Sequence, residues 1–123
     1  MSQSKVKIIS GWSDPGGSTT AHIGLTNLLN DNGIDCTFYG PHEYHLDKCK
    51  SGTLNQYAST PEDIIITHFI RFSNKVSCKK HIFTCHEKDI WAINKMRAAG
   101  KQDLADYDAI HFVSNLQKEW QAI

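Results

Sequence analysis

Long hydrophobic runs are missing from this sequence. Nothing approaches the ~20 apolar residues that span a bilayer, and the opening "MSQSKVKII" lacks the extended apolar core of a secretory signal. An excess of one charge is missing too. Thirteen basic side chains balance 13 acidic ones, so no bulk field draws the chain to nucleic acid or to an anionic membrane. Cysteine is sparse: Cys36, Cys49, Cys78 and Cys85 are too few for a disulfide scaffold, and the expectation is reduced thiols in a cytoplasmic protein. There is no internal repeat and no low-complexity tract. With 40% hydrophobic and 21% charged residues over 123 positions, the sequence suits one domain, 1–123, with a real core.

What is present alternates between strand and helix patterns. Residues 5–10 are short, apolar and β-branched, with Val6, Ile8 and Ile9 as the buried members of a strand. From Ser18 the period changes, and Ala21, Leu25, Leu28 and Leu29 predict one apolar helix face. Ser18 or Thr19 can cap this helix and Asn32-Gly33 can end it. Further strands are expected at "IDCTFYG", "EDIIITHF", "HIFTCHE" and "YDAIHFVS". Residues 41–60 read as a loop with one short helix at most. Helices are expected over residues 88–101 and from Ser114, where Ser114 and Gln117 have capping-box spacing. The pattern implies an α/β fold, a Rossmann-like parallel sheet of about five strands flanked by helices. Counting five strands, the expected order is 3-2-1-4-5.

In such a sheet, ligands bind outside the carboxyl ends of the strands. Those exits carry residues 10–17, then Thr67-His68, then Cys85-His86-Glu87, then Ser114-Asn115, each polar after an apolar body. The first exit, "GWSDPGGSTT", nearly matches the phosphate loop G-x-x-x-x-G-K-[ST], but Gly17 stands where the lysine belongs. The dinucleotide fingerprint is absent, and "GWSDPG" is one residue too long for a serine nucleophile elbow, which makes Ser13 a poor nucleophile. Two readings of Gly16-Gly17 remain. The pair lets an anionic ligand approach bare amides at a helix N-terminus, or it serves a tight turn that needs glycine for its backbone angles alone.

The histidines suggest metal only superficially. Cys78, His81, Cys85 and His86 lie close in sequence, but alternation on a strand puts His81 and Cys85 on one face and His86 on the other, so no metal site is expected. "HEYH" at 42–45 is one residue short of a metalloprotease pair. His22 is expected to be solvated near the loop. His86 stands apart, because it ends an apolar strand and precedes Glu87 and Asp89.

Three ordered signatures carry a resemblance that covers almost the whole chain: "KIISGWSDPGGSTTAHIGLTNLL", "HIFTCHE" and "HFVSNLQKEW". Together they resemble the N-terminal Rossmann-like half of a GT-B glycosyltransferase, in particular of the large retaining, nucleotide-sugar-dependent group often called family four. The resemblance implies sugar transfer from a nucleotide-sugar donor to an acceptor. It places Gly16 and Gly17 at the donor phosphates and acceptor, and His86 beside the donor sugar as the candidate catalytic residue. Ser18 beside the turn and His68, Glu87, Ser114 and Asn115 at the strand exits complete the expected donor- and acceptor-binding residues. It implies no metal and no cofactor beyond the nucleotide-sugar substrate. The family's second, donor-binding domain is not in these 123 residues. The chain alone is therefore expected to be inactive, completed by a separately encoded domain or by self-association; the Leu116, Trp120 and Ile123 stripe either packs on its own sheet or meets such a partner. Two other readings stay open: a non-catalytic binding or protein-interaction module on the same sheet, and a flavodoxin-like or response-regulator-like domain. Asp14 alone is no acidic cluster, and the first loop lacks a flavin-phosphate pattern, which counts against the last.

Overall fold

The computed structural model describes residues 5–68, 77–85 and 108–112. Six parallel strands form one sheet in the order β3-β2-β1-β4-β5-β6. They are β1 (Val6–Ser10), β2 (Cys36–Gly40), β3 (Ser51–Thr53), β4 (Ile64–His68), β5 (Lys80–Cys85) and β6 (Ala109–Phe112). One helix, α1 (Gly17–Asp31), joins β1 to β2. The architecture is α/β and Rossmann-like. The helices expected over residues 88–101 and from Ser114 lie outside the described residues.

The strand order corrects one expectation. The five-strand count makes residues 62–69 the third strand and sends them to the sheet edge. Instead, β4 lies beside β1, with Ile8 opposite Ile66 and Ser10 opposite His68. The edge position is taken by β3, a three-residue strand within residues 41–60, followed by a 3-10 turn at Leu54–Gln56. Its sequence, Ser-Gly-Thr, has no apolar alternation to announce a strand. It forms because the backbone of 50–53 pairs with β2, beginning with the Phe38 N–H donating to the Lys50 carbonyl at 3.0 Å.

Alternation along β1 sends Val6, Ile8 and Ser10 to one face and Lys7 and Ile9 to the other. On the first face, Val6, Ile8, Cys36 and Phe38 form a buried cluster, against which Ile23, Leu25 and Leu29 of α1 and Ile64 and Ile66 of β4 pack. Each large apolar side chain so buried stabilises the fold by about 1.5–3 kcal/mol. The helix stops as its sequence implies. Gly33 adopts φ 80°, while Gly33 N–H donates to the Asn30 carbonyl and Ile34 N–H to the Leu29 carbonyl, the paired bonds of a Schellman ending.

The start and the face of α1 differ from expectation. The N-cap is Gly16, with no capping side chain, so neither Ser18 nor Thr19 takes that role. Thr19, His22 and Thr26 are the fully inward residues, while Ala21 is exposed and Leu28 is 59% exposed. The helix is rotated so that Leu25 and Leu29 reach the aliphatic cluster and a polar stripe meets the carboxyl half of the sheet.

On the opposite face, Lys7 Nζ lies 2.7 Å from Asp63 Oδ2 and also donates to the Ala58 carbonyl. Asp63 accepts from Thr60 N–H at 2.8 Å. Burial pushes the Asp63 carboxyl up, but the hydrogen bonds from Lys7 and Thr60 outweigh it and hold the group below its ordinary value. No helix among the described residues is long and apolar enough to cross a membrane.

Candidate functional site

The carboxyl ends of β1 and β4 meet at the point where the chain reverses direction across the sheet, since β1 leads to β2 on one side and β4 leads to β5 on the other. Gly11 N–H donates to the His68 carbonyl at 2.9 Å, which ties the two exits together. The first intrahelical bond of α1 runs from Thr20 N–H to the Gly16 carbonyl at 3.0 Å. The amides of Gly17, Ser18 and Thr19 therefore precede any intrahelical acceptor. No acidic residue lies in the first turn.

The two glycines are not required by the turn itself. Gly16 has φ 165°, extended backbone that any residue adopts. A Cβ on Gly16 would meet only the Asp14 carbonyl oxygen, at 4.0 Å, and one on Gly17 would meet nothing within 4 Å. Gly40 shows what a structural glycine looks like: a Cβ there would lie 2.5 Å from Ser13 Cβ. The structure thus removes the reading of Gly16-Gly17 as a backbone-angle requirement. It leaves open space over bare helix amides, which is the property an anionic ligand needs.

Ser13 is the staple of this rim. It is fully buried, and its Oγ accepts from His42 N–H at 2.9 Å. The loop after β1 is thereby fastened to the loop after β2, and His42 Nε2 lies 3.6 Å from Asp14 Oδ2 with both side chains part-exposed. Trp12, at the same exit, is 46% exposed. Nothing in the sequence pattern marked Ser13, Asp14 or His42 as partners, because their contact joins two loops of unrelated sequence.

Beneath the rim lies a row of buried polar groups. Ser10, His22, His68 and His45 are each no more than 3% exposed. The His22 and His68 ring centroids are 5.0 Å apart, His22 and Phe38 are 5.4 Å apart, and Phe38 and His45 are 4.7 Å apart. Ser10 Oγ donates to the Trp12 carbonyl at 2.6 Å and accepts from Trp12 N–H at 3.1 Å. Ser10 Oγ also lies 3.0 Å from His68 Nδ1, a hydrogen bond for which either group can supply the hydrogen. His45 Nε2 donates to the Gly52 carbonyl at 2.9 Å. Thr19 Oγ1, on the inner face of the first turn of α1, is buried with no hydrogen-bond partner among the described residues.

The expected site residues divide accordingly. Gly16, Gly17 and Ser18 stand at the open turn. His68 sits under it, buried, and holds the β1 exit through Ser10 rather than presenting a free edge to solvent. His86, Glu87, Ser114 and Asn115 lie outside the described residues. His22, expected in solvent, is 3% exposed and meets the His68 ring at a tilt of 52°. Its place three residues after Thr19 and four before Thr26 was the available signal, a polar stripe at helical spacing. His81 is buried on the other face of the sheet, with Nε2 2.9 Å from Thr67 Oγ1. Among the described residues no group of three or more His, Cys, Asp and Glu side chains could hold a metal ion.

The thiols are quiet. Burial pushes Cys36 up to about 11 and raises Cys49 as well, so neither supplies a thiolate at neutral pH. Comparison with protein-family models, with curated proteins and with solved structures finds no match to this chain.

Proposed function

We propose that this chain is the acceptor-side half of a nucleotide-sugar-dependent glycosyltransferase, with its ligand seated over the β1–α1 turn. One observation carries the reading: Gly16 and Gly17 leave open space over the first amides of α1 where the fold itself could accommodate side chains. A pyrophosphate group fits such amides through hydrogen bonds and the helix dipole. The order of the sheet supports the placement, because the turn opens beside the β1–β4 switch. The ordered sequence signatures supply the sugar chemistry, and Trp12 offers an exposed aromatic surface at the same rim.

A single half of this kind gives no water-excluded cleft. The expected outcome is weak binding and no transfer by the chain alone. Isothermal titration with several nucleoside diphosphate sugars tests the reading. Weak saturable binding that Gly17→Leu removes supports it. Submicromolar binding by the monomer contradicts the half-site account, and no binding of any of them contradicts the ligand class.

A further inference from the structure

Two cysteines from different parts of the chain share one face of the sheet. Along the β2–β3 pairing, Phe38 stands opposite Ser51 and Tyr39 opposite Gly52, and the Phe38 N–H donates to the Lys50 carbonyl at 3.0 Å. Two residues back on each chain are Cys36 and Cys49. Alternation keeps Cys36 on the face of Phe38 and Cys49 on the face of Ser51. The packing agrees: Cys36 belongs to the buried cluster of Val6, Ile8 and Phe38, and Cys49 packs against that same cluster. The Thr26 side chain of α1 stands beside both thiols. Its own hydrogen goes to the His22 carbonyl at 2.7 Å, so toward sulfur the hydroxyl oxygen is an acceptor. Cys49 Sγ also lies 3.8 Å from the His45 carbonyl.

The pair is placed for a covalent bond. Paired strands run about 4.8 Å apart, and a disulfide joins Cα atoms about 4.4–6.8 Å apart, so a bridge tolerates some widening where the pairing ends. We propose that Cys36 and Cys49 are a modification site, which a small-molecule disulfide such as oxidised glutathione converts to an intramolecular disulfide that pins the 41–50 loop to β2. The bond forms with or without a ligand over the glycine turn.

Cys49 reacts first, being half-buried where Cys36 is fully buried. It loses its proton to solvent, and the thiolate attacks one sulfur of oxidised glutathione. A Cys49–glutathione bond forms, and one glutathione leaves as thiolate. Cys36 then loses its proton and attacks the Cys49 sulfur, which closes the protein disulfide and expels the second glutathione. Two protein thiols are oxidised, one glutathione disulfide is reduced to two thiols, and the two protons end on the departing glutathiones. Burial raises both thiols, so thiolate is scarce and the exchange is slow near neutral pH, quickening by up to about tenfold per pH unit. The same burial slows reduction, because an attacking thiolate must reach one of the two sulfurs. The closed ring holds His42, whose N–H bonds Ser13 Oγ at 2.9 Å, and His45, whose ring packs on Phe38. Oxidation thus ties the loop after β2 at its far end, as Ser13 ties it at its near end. A cross-link also narrows the unfolded ensemble, so the linked chain unfolds at a higher temperature.

The full native chain is incubated with oxidised glutathione at mildly alkaline pH, the remaining thiols are alkylated, and the chain is digested and mapped by mass spectrometry. The expected product is a monomer lighter by two hydrogen atoms, with the Cys36 and Cys49 peptides linked. Its thermal midpoint should lie above that of the reduced chain and return to it on reduction with dithiothreitol. Cys36→Ala should stop at a glutathione adduct on Cys49. Should that variant not fold, the map of the native chain decides alone, since the link requires no substitution. A lasting glutathione adduct on Cys49 of the native chain, a link from Cys49 to Cys78 or Cys85, or two thiols left untouched while the urea-unfolded chain oxidises overturns the proposal. So does a linked chain whose midpoint is equal or lower, because such a bridge does not pin the loop.

Discussion

The two ends of the sheet are built from different chemistry. Toward the amino ends, one face holds Val6, Ile8, Cys36, Ile64 and Ile66, and the other holds the Lys7–Asp63 ion pair, supported by the Ala58 carbonyl and the Thr60 N–H. Toward the carboxyl ends, Ser10, Ser13, Thr19, His22, His45 and His68 are buried alongside Ile9 and Phe38. Both sets of residues are buried. The first is what stability alone selects, since apolar area and fully paired charge favour folding. The second carries desolvated polar groups that a purely structural core would exchange for aliphatic ones.

The largest effect expected from breaking this contrast lies at the amino end. Asp63→Ala strands the Lys7 ammonium, of which only 13% of the side chain is exposed, and should cost about 3–5 kcal/mol in urea unfolding. The same carboxylate gives a pH signature. Its folded value lies below the ordinary one, so its contribution is complete above the unfolded value of about 3.9 and is lost as pH falls through the lowered folded value. Acid melts of Asp63→Asn should lack that step.

Gly40→Ala comes next. Its Cβ would sit 2.5 Å from Ser13 Cβ, and relief must push the two loops apart, for about 1–3 kcal/mol by thermal unfolding. At Thr19 the sign reverses. Thr19→Val replaces a buried, unpartnered hydroxyl by a methyl of the same shape and should stabilise the chain by about 1 kcal/mol. A destabilised Thr19→Val would mean that the hydroxyl is structurally satisfied and the contrast false.

The sheet was largely legible because its strands announce themselves. Val6, Ile8, Ile9 and Ile64 to Ile66 are β-branched and apolar, and Asn32-Gly33 punctuates α1 where the Schellman bonds form. The strand at Ser51–Thr53 was not legible, because backbone pairing to β2 rather than side-chain pattern creates it. Missing it displaced β4 in the expected order. The helix face was half legible. Leu25 and Leu29 point inward as their spacing implies, but hydrophobicity could not show that Thr19, His22 and Thr26 are buried and Leu28 is not. Of the candidate site, the glycine turn was visible as a motif. The contact between two histidine rings was not, because His22 and His68 meet only once α1 is laid on the sheet.

The smallest structural effect belongs to the pair of glycines, and it bears on the central claim, that the turn is open for a ligand and not for the fold. The direct test is Gly17→Leu, measured for unfolding free energy and for UDP-glucose binding on the same preparation. A leucine side chain at Gly17 starts in empty space and replaces a poor helix former, so stability should hold or rise by up to about 1 kcal/mol while binding disappears. Lost stability with binding intact in the folded fraction would contradict the account.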